Sequence, residues 1–115
     1  MNVMIVDDNS AVRELLRQML AGIADVTSEC SDGREAVDAY SRTCPDWVIM
    51  DINMKHIDGL RATREILALD PDARVIIVTQ DNDDTVADIA RRAGAVECVS
   101  KENLINVVAI IKNAL

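Results

Sequence analysis

Trp47-Val48-Ile49-Met50-Asp51 is the stretch on which the reading of this chain turns. Its four apolar residues are too few for a helix and leave no polar face. They match a strand buried on both sides, as in a parallel sheet covered by helices. The run stops on a carboxylate. The same pattern recurs where Val3-Met4-Ile5-Val6 runs into Asp7-Asp8, and where Val75-Ile76-Ile77-Val78 runs into Thr79. Two weaker strands are expected near Asp25–Glu29 and Val96–Val99, the second leading into Ser100-Lys101.

Amphipathic segments alternate with these strands. The first carries Val12, Leu15, Leu16, Met19 and Leu20 at the spacing of one helix face, with Asn9 or Ser10 to cap it and Gly22 to end it. The second begins at Asp32, with Glu35 three residues on, and turns Ala36, Val37 and Tyr40 inward. The third follows Asp58-Gly59 and buries Leu60, Ile66 and Leu67. The fourth starts after Asp81-Asn82 and buries Val86, Ile89, Ala90 and Ala93. The last runs from about Glu102 to the C-terminus. Five strand–helix units in succession predict parallel strands joined by right-handed crossovers, in one domain over 1–115 with no linker.

Composition narrows the class further. Half of the 115 residues are hydrophobic, yet there is one Trp, one Tyr and no Phe, so the core is aliphatic, which suits a helix-covered sheet better than an aromatic-rich sandwich. The net charge of −8, with basic residues scattered, argues against direct nucleic-acid binding. Cys30, Cys44 and Cys98 are odd in number and lack metal-ligand spacing, which suggests free thiols in a reducing compartment. There is no signal-peptide pattern, and no apolar run approaches the roughly 20 residues that cross a bilayer. The expected location is the cytoplasm.

In an open doubly wound sheet, ligands bind beyond the carboxyl ends of the strands. Those ends carry Asp7-Asp8, Asp51 with Asn53 two residues later, Thr79, and Ser100-Lys101. An Asp after a strand is ordinarily a turn residue or a cap. What separates this set from chance is that every member sits at the same end of its strand. Clustered carboxylates repel unless a cation neutralises them or a proton is shared. All-oxygen ligands suit Mg2+, with Mn2+ as the alternative. Lys101 can pair with Asp51 and then with a phosphate oxygen, and the Thr79 hydroxyl can donate to another.

On Asp7-Asp8, Asp51, Met54, Asp58-Gly59, Thr79 and Lys101 the sequence resembles the receiver domain of two-component response regulators, along nearly its whole length. The resemblance implies a flavodoxin-like (βα)5 fold, a doubly wound five-stranded parallel sheet of order 2-1-3-4-5. It also implies that Asp51 is the phosphoacceptor, fed by a histidine kinase or a phosphotransfer protein. Asp8, Asp51 and the backbone carbonyl of Asn53 would bind Mg2+ directly, and Asp7 through water. Lys101 would meet the phosphoryl group. Thr79 would couple it to an output surface made by the fourth helix, fifth strand and fifth helix. Such a chain is a switch rather than an enzyme.

The sequence also departs from the family pattern. Lys55 stands where many members have Pro, and His56 shares that loop. Gln80 replaces a small residue beside Thr79, and Cys98 replaces a ring that moves with the Thr79 hydroxyl in many members. No Pro follows Lys101, and residues 99–104 look more like receivers joined to helix-turn-helix regulators.

In the last helix, Leu104, Val107, Val108, Ile111 and Leu115 form one face, with Ile105 and Ile110 flanking it. That breadth suits either partial cover by the preceding loop or a homodimer through the output surface. Two other readings compete. A phosphatase using an aspartyl-phosphate would need a general acid where Asn53 stands, and an amide cannot serve. A phosphorylation-independent interaction module on a receiver fold is disfavoured by the complete acidic set with Lys101.

Overall fold

The computed structural model describes residues 1–54, 58–80 and 83–115. Lys55, His56 and the Asp81-Asn82 pair lie outside them. Along the chain come β1 (Asn2–Val6), α1 (Ser10–Leu20), β2 (Asp25–Cys30), α2 (Gly33–Thr43) and β3 (Trp47–Asp51). These are followed by α3 (Gly59–Leu69), β4 (Val75–Thr79), α4 (Asp84–Arg92), β5 (Glu97–Ser100) and α5 (Ile105–Asn113). The strands form one parallel sheet of order β2-β1-β3-β4-β5, the doubly wound fold expected. The chain leaves β1 for one edge and returns past it to β3, so the topological switch point lies between β1 and β3.

The all-apolar strands are explained by a core on each side. Val3, Ile5, Trp47, Ile49, Ile76 and Val78 point to the face covered by Leu16 and Leu20 of α1 and by Val107, Val108 and Ile111 of α5. Met4, Val6, Val48, Met50, Val75 and Ile77 point to the other face, covered by Ala36, Ala39 and Tyr40 of α2, Ala62 and Ile66 of α3, and Ala90 of α4. Alternation along each strand divides it between two cores.

Short polar side chains start the first four helices. Asn9 accepts the amides of Ala11 and Val12 at 2.9 and 3.3 Å. Asp32, Asp58 and Asp83 accept those of Glu35, Arg61 and Val86 at 2.8–2.9 Å. Part of the chain's acidity is therefore helix capping.

Several expected burials are corrected. Leu15 is 45 % exposed, because α1 seats the Leu16–Leu20 ridge on the sheet and Leu15 lies about 100° round the helix from it. Ile89 is 40 % exposed for the same reason beside Ala90, whose small side chain lets α4 approach closely. Val96 precedes β5 and is exposed, and Leu115 lies beyond the end of α5 and is exposed. The last helix is not continuous from Glu102. Residues Lys101–Asn103 form a tighter 3-10 turn in which the Ser100 hydroxyl accepts the Glu102 amide at 3.2 Å, and α5 begins only after Leu104. Among the described residues, no helix is long and apolar enough to cross a membrane.

Candidate metal and phosphoryl site

Parallel strands bring their carboxyl ends to one rim, and the residues at those ends meet there. Asp7 follows β1 and Asp51 ends β3, each 2 % exposed. Asp8 is exposed. Each of the three offers a carboxylate oxygen, and these oxygens lie within 4.8 Å of one another. Thr79 ends β4 almost wholly buried, in register with Ser100 of β5.

Lys101 ties the cluster together. Its Nζ stands 3.2 Å from Asp7 Oδ2 and 3.3 Å from Asp51 Oδ1. The Asn53 amide also donates to Asp51 Oδ1, at 3.3 Å, which places the Asn53 main chain beside the carboxylate. Asp51 Oδ2 is buried and accepts no hydrogen bond from the described residues. Burial pushes the Asp51 carboxyl above the usual carboxylate range, and the Asp7 charge adds to the rise, while Lys101 and the Asn53 amide oppose it. For Lys101, burial pulls the ammonium down, but Asp51 and Asp7 outweigh it and hold the pKa above its ordinary value. Among the described residues, one ammonium paired with Asp7 and Asp51 stands in a cluster of three carboxylates. The excess negative charge and the unpartnered Oδ2 both fit a small hard cation with oxygen ligands.

Asp7 is held at every polar atom. Its amide donates to the Cys30 carbonyl at 3.0 Å, and its Oδ1 accepts the Asn9 amide at 2.8 Å. Its carbonyl accepts Arg13 Nη1 at 2.6 Å. Arg13 was not among the residues picked out from the sequence. The available signal was a basic residue one turn into a helix that follows an acidic strand end, and that pattern is ordinary in sequence. Gly59 was expected only as part of the Asp58-Gly59 motif. In space its amide donates to the Ile52 carbonyl at 3.1 Å, and its Cα lies against the Asp51 backbone. Gln80 is exposed next to Thr79, whereas Cys98 is buried in β5.

This sheet order, with this acidic rim, is the receiver-type α/β architecture. The model of the response regulator receiver domain matches residues 3–112, and the chain belongs to that family. It is 35 % identical over 100 residues to the chemotaxis protein CheY of Thermotoga maritima, covering 86 % of this chain and 83 % of that protein. The response regulator domain of Thermotoga maritima CheB superposes with a TM-score of 0.91 at 26 % identity, covering 99 % and 95 % of the two chains. A CheY from Borrelia burgdorferi, solved in a complex with CheX, BeF3 and Mg2+, superposes with a TM-score of 0.88 at 27 % identity over 96 % and 88 %.

Proposed function

We propose that this chain is a phosphoacceptor switch of a two-component system, with Asp51 as the acceptor. The observation that carries the reading is the state of the Asp51 carboxylate, buried at the switch-point rim. One of its oxygens is held by Lys101 and the Asn53 amide, and the other has no hydrogen-bond partner among the described residues.

A carboxylate oxygen of Asp51 attacks phosphorus in the phosphohistidine of a histidine kinase or phosphotransfer protein. The P–N bond breaks, the imidazole keeps the electron pair, and an acyl phosphate forms on Asp51. Lys101, already against Asp51, offsets charge on an equatorial oxygen, and the Thr79 hydroxyl donates to another. Asp7, Asp8, Asp51 and the Asn53 carbonyl are the residues that would hold Mg2+, or Mn2+ in its place. Bound there, the ion would supply positive charge that offsets the negative charge of the transferring group. The likeness to a CheY solved with BeF3 and Mg2+ supports this assignment.

The chain acts as a switch, not as a turnover enzyme. Asn53 stands where a phosphatase of this kind would keep its general acid. Phosphorylation biases the α4–β5–α5 surface, with Cys98 replacing a moving ring by a small side chain. That surface is also where a second copy would dock. The net charge of −8 disfavours nucleic acid as a direct partner, and a reduced, cytoplasmic setting suits the three thiols.

The test is intact-mass measurement after incubation with acetyl phosphate and Mg2+, beside beryllofluoride titration. A phosphoryl adduct that requires Mg2+ and is lost in Asp51→Ala is expected. Absence of adduct and of any beryllofluoride response would replace the switch by a phosphorylation-independent interaction module.

A further inference from the structure

The acidic rim is supported from outside by a chain of charges that the phosphoryl chemistry does not use. Arg13 lies in the first turn of α1, six residues after Asp7. Its Nη1 donates to the Asp7 carbonyl at 2.6 Å, and its Nε faces Glu29 Oε1 on β2 at 3.4 Å. Glu29 is held in turn by Arg17 Nη1 at 2.7 Å. The Arg13 side chain is only 21 % exposed, so the guanidinium is partly screened from water.

An ion pair between α1 and the β2 edge would by itself be an ordinary surface contact of little value. The bond to the Asp7 carbonyl makes it more than that. A charge-assisted donor at 2.6 Å is a strong bond, and a guanidinium fork can grip a carbonyl and a carboxylate at once, which an ammonium on a flexible stem cannot. The Asp7 main chain is thereby clamped on both sides of its Cα, its amide donating to the Cys30 carbonyl and its carbonyl accepting from Arg13. A clamped main chain sets where the Asp7 carboxylate lies relative to Asp8, Asp51 and Lys101.

We infer that Arg13, oriented by Glu29, is a positioning residue for the Asp7–Asp8–Asp51 cation site, setting cation affinity through the Asp7 main chain. The inference rests on the receiver reading of that site. Supporting groups of this kind typically change metal affinity by about 10–100-fold.

The alternative role for Arg13 is simple repulsion of a cation by a nearby positive charge, and it predicts the opposite sign. Mn2+ binding to the full chain, followed by electron paramagnetic resonance, separates the two, with thermal unfolding as the check on folding. Arg13→Met removes the charge and the fork, and Arg13→Lys keeps the charge and loses the fork. Positioning predicts that both variants bind Mn2+ about tenfold more weakly than wild type. Repulsion alone predicts tighter binding by Arg13→Met and unchanged binding by Arg13→Lys, and either result overturns the inference. If Arg13→Met does not fold, Arg13→Lys decides alone: weaker binding supports positioning and wild-type binding refutes it. A wild-type chain that binds no Mn2+ defeats the proposed cation site itself, and this inference with it.

Discussion

Gly59, the first residue of α3, packs its Cα against the main chain of Asp51. A Cβ at Gly59 would overlap the Asp51 carbonyl oxygen and stand 2.8 Å from the Asp51 carbonyl carbon and 2.9 Å from Ile52 Cα. Those neighbours are backbone at the end of a central strand and cannot swing aside. Gly59→Ala therefore has to push α3 or the β3 end outward. A loss of about 1–3 kcal/mol is expected in urea unfolding, with slower adduct formation from acetyl phosphate. A variant as stable and as reactive as wild type would show that the β3–α3 junction yields freely.

Asp51 is a charge kept where the fold disfavours it, since burial and Asp7 both push its carboxyl up. Asp51→Asn removes the charge, and Lys101 retains Asp7 as a partner. The variant should unfold at a higher temperature than wild type without divalent cation, by about 1 kcal/mol of added stability, while taking no phosphoryl group. Added Mg2+ should narrow the gap by stabilising wild type selectively. Scanning calorimetry with and without Mg2+ checks both statements.

Tyr40 on α2 donates its hydroxyl to Asp70 Oδ2 at 2.7 Å, joining α2 to the end of α3. Burial, then the bond and charge of Asp70, raise the phenol well above its ordinary pKa. A folded-state pKa raised above the unfolded value of about 10 contributes stability that is whole below pH 10 and is lost as pH rises beyond it. Tyr40→Phe should cost about 1 kcal/mol at neutral pH. It should also flatten the alkaline fall in stability between about pH 10 and 12. Urea midpoints across that range test the sign, and an equally steep fall in the variant would place its cause elsewhere.

Gln80 is exposed immediately after Thr79, at the rim from which an attacking water would approach Asp51. Its amide is large enough to narrow that approach or to hold a water there. Gln80→Ala should shift the dephosphorylation rate of the acyl phosphate by a few-fold, on the order of 1 kcal/mol in barrier. Decay of the intact-mass adduct measures it, and an unchanged rate removes Gln80 from the site.

The three thiols should differ sharply. Cys30 and Cys98 are buried, and burial pushes both above the ordinary thiol range, while Cys44 is exposed at the end of α2. Only Cys44 should react rapidly with an alkylating reagent in the folded protein, with the other two following on unfolding. Peptide mapping after brief labelling reports which thiol reacts.

The legible part of this protein was local in character. Apolar runs such as Val75–Val78 mark central strands because both faces of a parallel sheet are covered, and polar strand ends such as Asp7, Asp51 and Lys101 share one rim because the strands are parallel. Asp32 reads as a cap from its own neighbours. Residues beside a buried ridge read less well. Leu15 and Ile89 look like core by periodicity, but the tilt and closeness of each helix on the sheet decide which ridge is seated. Tertiary structure alone decided that Lys101 bridges Asp7 and Asp51, that Gly59 lies against the Asp51 backbone, and that Arg13 grips the Asp7 carbonyl. The Lys101 and Gly59 relationships join different strands and crossovers, and Arg13 is aimed by Glu29 across the β2 edge. Distances of that kind depend on sheet register and helix placement, which no short window of sequence encodes.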